Sequence, residues 1–116
     1  MPSETVQTRR WLTDIRQHIE LVLVTGLDYE RFQDDLLRFH AVTRCLEIIS
    51  EASRRLPEEL KSRHPSIAWK EMAAAGNVYR HDYEDVATSF VWVTVQDHLP
   101  TLRAVIEQEL IVLRES

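Results

Sequence analysis

The segment Gly76-Asn77-Val78-Tyr79-Arg80-His81-Asp82-Tyr83 holds the densest cluster of side chains able to do chemistry. Imidazole suits proton transfer near neutral pH. Guanidinium is the side chain best fitted to a phosphate, which it grips through paired hydrogen bonds. Asn77 and His81 are four residues apart, so on a helix they share a face, and Gly76 and Arg80 share the neighbouring one. Together the three polar residues suit cleavage of RNA by its own ribose 2′-hydroxyl, without a metal. His81 would move the proton, Arg80 would steady the charged phosphate, and Asn77 would orient either. The same residues also suit a plain solvated helix end, where the helix dipole favours cations. A glycine inside a helix costs about 1 kcal/mol against alanine. Gly76 therefore asks for a close neighbour: a ligand, a partner helix or the Arg80 side chain itself.

Other groups have a simpler reading beside a chemical one. Arg44, Glu47 and Glu51 fall at three-four spacing, as a salt-bridged helix face or as the polar wall of a cleft. Glu58-Glu59 and Glu84-Asp85 read as acids at helix starts. Cys45 is flanked by core-pattern residues and reads as a small buried hydrophobe. Trp69, Phe90 and Trp92 read as core or dimer anchors rather than base-stacking platforms. A single cysteine leaves no intrachain disulfide and no cysteine zinc site. None of the five histidines, at 18, 40, 64, 81 and 98, stands in a metal-ligand spacing. No metal and no cofactor is expected. The net charge of −5 disfavours broad electrostatic binding of nucleic acid, but leaves room for a local basic cleft.

The elements that must position these residues are helical. Two glycines and four prolines in 116 residues are too few breakers for a many-turned β fold. From about Glu4 to Thr25, Leu12, Ile15, Ile19 and Val22 form one stripe, and Gly26 is placed to end it. Asp28 is placed to cap a long second pattern, in which Val42, Leu46, Ile49, Ser53 and Leu56 keep three-four spacing until Pro57 stops it. A short turn follows over 57–62. His64-Pro65-Ser66 reads as a loop, with Ser66 capping a helix to about Tyr79. Residues 88–96 are β-branched and aromatic, which by propensity suggests a strand. A lone strand has no partner in this chain, so the segment is read as a helix. Leu102, Val105, Ile106, Leu110 and Leu113 make the last stripe. The sum is an all-α, up-and-down four-helix bundle in one domain, 1–116. Phe90 to Val95 is more apolar than one such bundle easily hides, which predicts a homodimer. Met1 to Arg10 has no apolar signal core and Leu21–Val24 is too short to span a bilayer, so a cytoplasmic protein with no membrane contact is expected.

Four blocks also carry a family likeness. Arg44-Cys45-Leu46-Glu47-Ile48-Ile49-Ser50-Glu51-Ala52-Ser53-Arg54-Arg55-Leu56-Pro57 resembles the HepT-like pattern Arg-x-Leu-Glu-Ile-Ile-Gly-Glu-Ala-x-x-x-Leu-Pro. His64-Pro65-Ser66-Ile67-Ala68-Trp69 is similar to that family's His-Pro-x-Ile-Pro-Trp. Asn77 to Tyr83 resembles its Arg-Asn-x-x-x-His-x-Tyr motif, and Leu99-Pro100-x-Leu its last helix. The likeness covers about Leu12 to Leu113. It implies a dimeric HEPN-type helical bundle whose paired motifs line a cleft between protomers. The activity implied is that of a metal-independent endoribonuclease toxin. The implied partner is a MntA-like nucleotidyltransferase antitoxin, which transfers AMP to the motif tyrosine, here Tyr83. One departure stands out: the family arginine falls at Gly76, with Arg80 one turn away on the same face. Without that arginine, a non-catalytic binding or scaffold module paired with a nucleotidyltransferase is the alternative.

Overall fold

The structure, a computed structural model, describes residues 3–24, 34–81, 91 and 93–115, and their side chains except at 24, 77–81 and 115. Among the described residues five α-helices and one π-helical turn follow in order: α1 Glu4–Val24, α2 Leu36–Arg54, α3 Glu58–Ser62, α4 Trp69–His81, the π turn Thr94–His98 and α5 Leu99–Glu115. No strand occurs among the described residues. The long helix α2 is central, with α1 packed on one side and α4 on another, and α5 lies against α1.

The apolar stripes do what their spacing dictates. Leu12, Ile15, Ile19 and Val22 of α1 are all buried, as are Val42, Leu46, Ile49, Ser53 and Leu56 along α2. Leu102, Val105, Ile106 and Leu110 bury the inner face of α5, with Leu113 packed at its edge. Burying one such side chain contributes about 1.5–3 kcal/mol, so these stripes supply the main driving force of the fold.

The helix ends differ in detail from the sequence reading. The cap of α2 is Asp35, whose Oδ1 accepts a hydrogen bond from the Arg38 amide at 3.0 Å. Gly26 and Asp28 lie outside the described residues. Helix α4 begins at Trp69, three residues past Ser66, so Ser66 does not cap it. The Trp69 indole N–H fixes that start by donating to the carbonyls of Lys61 (3.1 Å) and His64 (3.0 Å). At the far end, α4 runs two residues past Tyr79, to His81.

The β-prone run is helical wherever it is described, with Val91 and Val93 in helix and Thr94–His98 in the π turn. Tertiary burial overrides propensity here, since Val91 and Val95, four apart, are 0% and 2% exposed. The π turn has a covalent cause. Pro100 has no N–H to give to the preceding turn, and its ring presses on the carbonyl four residues back. The helix widens there, and the Leu99 N–H reaches five residues back to the Thr94 carbonyl. The ground for a dimer also shifts. Val91 and Val95 are covered by this chain's own core, whereas Val93 is 46% exposed. Phe90 and Trp92 lie outside the described residues.

Candidate functional site

Helix α4 carries the motif, and α2 holds α4. The two run antiparallel, with Arg54 beside Ala73 and Ser50 beside Gly76. The Ser50 hydroxyl donates to the Ala73 carbonyl at 3.0 Å and accepts the Gly76 amide N–H at 3.1 Å. Arg54 adds a second donor to the Ala73 carbonyl at 2.7 Å. A Cβ built on Gly76 would sit 2.5 Å from Ser50 Oγ and 3.0 Å from Ser50 Cβ. The neighbour that Gly76 asks for is therefore a partner helix. Removing the side chain at 76 lets the two backbones approach closely enough for one hydroxyl to bridge them.

Asn77, Arg80 and His81 stand on the backbone of the last turns of α4, directly after this contact. Their side chains, and all of Tyr83, lie outside the described atoms. At 3.6 residues per turn, Arg80 continues the line of Ala73 and Gly76. Asn77 and His81 fall about a third of a turn further round. On the opposite flank of α4 lies an apolar groove of about 470 Å³, lined by Leu46, Ile49, Met72, Ala75, Leu99 and Leu102 among others. The structure thus separates this groove from the face that bears Asn77 and His81.

Of the three residues read as a salt-bridged face or cleft wall, Arg44 pairs with Glu47 at 3.1 Å. Glu51 pairs instead with Arg55 at 3.1 Å and Arg54 at 3.9 Å. Cys45 is half-buried, and burial pushes its thiol above the ordinary value against the pull of Arg44. Such a thiol is a poor nucleophile at neutral pH. Among the described residues, no group of three or more His, Cys, Asp or Glu side chains is arranged to hold a metal ion. No helix among them is long and apolar enough to cross a membrane.

One polar cluster escaped the sequence reading. Glu109 lies in the inner face of α5, only 4% exposed. Arg63 grips its carboxylate with two nitrogens, at 3.2 and 3.0 Å, and His64 Nε2 lies 2.6 Å from Oε1. Burial pushes the Glu109 carboxyl up, but the hydrogen bonds and charges of Arg63 and His64 outweigh it and hold the group below the ordinary carboxylate range. An ionised carboxylate only accepts, so His64 Nε2 carries the proton between them. His64 and Trp69 therefore anchor the α3–α4 connection to α5 and to itself. The signal was present in the sequence, as an acid at a core position of the last apolar stripe, between Ile106 and Leu110.

The family model described as Ribonuclease HepT-like matches residues 12–109. The protein named "Probable ribonuclease HepT" from Thermococcus cleftensis is 37% identical over 100 residues, covering 84% of this chain and 91% of its own. One named "Putative RNase" from Caldanaerobacter subterraneus subsp. tengcongensis is 33% identical over 104 residues, covering 88% of this chain and 93% of its own. No solved structure gives a significant match. A helical bundle that presents Asn77 and His81 on one helix, matched by the family model over most of its length, belongs to the HepT-like ribonuclease family.

Proposed function

We propose that the protein is a metal-independent endoribonuclease of the HEPN type. The observation that carries this reading is the family match over residues 12–109, which includes Asn77, Arg80 and His81 on one continuous helix. In the reaction, His81 takes the proton of the ribose 2′-hydroxyl and the 2′-oxygen attacks phosphorus. The bond to the 5′-oxygen breaks, that oxygen takes a proton from water, and His81 returns the 2′-hydroxyl proton to the solvent. The products are a 2′,3′-cyclic phosphate and a free 5′-hydroxyl. Arg80 holds the phosphate charge and Asn77 orients His81. Guanidinium and imidazole together supply charge stabilisation and proton transfer, so the step requires no metal.

In the same reading the protein is the toxin of a toxin–antitoxin pair and acts as a homodimer. Its antitoxin is a MntA-like nucleotidyltransferase. This partner places AMP on the Tyr83 oxygen, with pyrophosphate leaving, and the charged adduct blocks the neighbouring motif. The exposed Leu36, Leu37 and Val93 support a dimer seam near one end of the bundle. The test is cleavage of total RNA in EDTA by the purified protein, with His81→Ala as the inactive control. Absence of cutting by the natural protein would sink the enzyme reading. A specific observation favours the rival reading of a non-catalytic module: Ser50 fills the space beside position 76, so a side chain there would have to displace it.

A further inference from the structure

The start of α1, the end of α2 and the end of α5 meet at one end of the bundle. There Arg9 Nη2 reaches the Leu113 carbonyl at 3.4 Å, and Arg114 is the next residue along α5. The guanidinium carbons of Arg10 and Arg55 lie 5.7 and 5.4 Å from the centre of the Trp11 ring. Arg54 adjoins Arg55. Five arginines from three helices thus form a band, and all five are exposed. Glu51 answers Arg54 and Arg55. Among the described residues, Arg9, Arg10 and Arg114 form no ion pair.

This band is positive in a chain of net charge −5. Glu20, Asp34, Asp35 and Asp97 belong to the other end of the bundle, toward the start of α2 and the π turn. At the arginine end Glu51 is taken up by Arg54 and Arg55, Glu58 by Lys61 and Glu59 by Arg63, so the excess positive charge there rests on Arg9, Arg10 and Arg114, with Glu4 in the first turn of the same helix as Arg9 and Arg10. A concentrated patch of one sign raises the local concentration of its counter-ion even when the net charge opposes it. The arginines are also partly pre-ordered. Two rest on the Trp11 ring and two are tied to backbone carbonyls, so less side-chain freedom is lost when a ligand binds. Guanidinium is matched to phosphate oxygens. Helix α4 passes Arg54 of this band at Ala73, about one turn into the helix, and runs on to His81 about 12 Å further along its axis.

We propose that the arginine band around Trp11 is a second RNA-binding surface, which holds the phosphates of the single strand flanking the cut irrespective of its base sequence. For its substrate class this rests on the ribonuclease reading. It does not rest on the cutting step.

The experiment is fluorescence anisotropy of a short, labelled single-stranded RNA against the full chain carrying His81→Ala, so that nothing is cut during titration. Arg10→Gln with Arg55→Gln should weaken binding on the order of tenfold at low salt. The same pair should flatten the plot of log affinity against log salt by about 1.4, from two lost phosphate contacts at about 0.7 each. Oligouridine and oligoadenylate should lose alike. Arg9→Gln with Arg114→Gln, which leaves the Trp11 stack intact, should give a similar change and guards against a folding defect in the first pair. Arg16→Gln, elsewhere on α1, should leave binding unaltered. Unchanged affinity and slope in both pairs overturns the proposal. If the natural protein cuts no RNA yet both pairs lose RNA binding, the ribonuclease reading falls and the RNA surface stands.

Discussion

The Ser50 hydroxyl bridges two backbone groups of α4, accepting from the Gly76 amide at 3.1 Å and donating to the Ala73 carbonyl at 3.0 Å. The contact is matched in size on both sides. The pattern that this chain resembles has glycine where Ser50 stands and arginine where Gly76 stands. Here the side chain belongs to α2 and the bare backbone to α4. The two positions at which this chain departs from the pattern it resembles are in contact with each other.

That coupling is measurable without any activity. Gly76→Ala should destabilise the protein by about 1–3 kcal/mol through overpacking against Ser50, less up to about 1 kcal/mol gained in helix propensity. In a Ser50→Gly background the added methyl has room, and the same change should be neutral or stabilising. Urea unfolding of the four proteins gives the cycle, with an expected coupling of at least about 1 kcal/mol. Additive effects would mean that the contact is not tight.

The Glu109 cluster predicts an acid-sensitive joint. The folded-state carboxyl of Glu109 is held below its ordinary value, so its contribution to stability is fully present above the unfolded carboxylate range, about pH 4.3. It is lost as pH falls through the lowered folded value. Glu109→Gln should cost about 1–3 kcal/mol at neutral pH, with the exposed Arg63 free to rehydrate and limit the loss. The gap between the wild type and Glu109→Gln should stay constant from neutral down to the upper carboxylate range and narrow below it. Denaturant melts across that window check the sign.

The three stripes and the four main helices were legible because helical period maps directly onto burial, as at Leu12, Ile15 and Ile19. The run from Val91 to Val95 was legible by elimination, since a strand needs a partner. The partners of Glu109 were not, because Arg63 and His64 stand 46 and 45 residues away and no local rule joins them. The start of α4 was misplaced for a different reason: it is set by a side chain, the Trp69 indole, reaching the carbonyls of Lys61 and His64 and not by a capping residue. At the motif, the sequence supplied the residue types and their helical spacing. Which of three neighbours Gly76 was meeting required knowing that α2 lies beside it.

Tyr83 offers a separate test of the proposed regulation. Co-expression with a MntA-like nucleotidyltransferase should add AMP to Tyr83, read as one adenylate mass on the tryptic peptide, and should abolish RNA cutting. Tyr83→Phe should remain unmodified and escape inhibition. An adduct on another residue, or none at all, defeats this part of the reading.

The last prediction asks where the phosphate-holding guanidinium sits. If Arg80 supplies it, Arg80→Ala should lose most of the cutting. Arg80→Lys should be nearly as poor, since one ammonium cannot reproduce a two-pronged contact. His81→Ala should fall by roughly 100- to 10,000-fold, the usual contribution of a positioned acid or base. An arginine placed at Gly76 alone should not rescue Arg80→Ala, because its Cβ would lie 2.5 Å from Ser50 Oγ and force α4 away from α2. With Ser50→Gly added, the same Gly76→Arg has space, and cutting should return in the Arg80→Ala background. Rescue by the pair and not by the single change would establish that the helix contact decides which turn of α4 carries the charge. Rescue by Gly76→Arg alone would show that Ser50 yields freely, and the link drawn here between the two positions would fail. Cutting that survives Arg80→Ala undiminished would remove Arg80 from the site altogether.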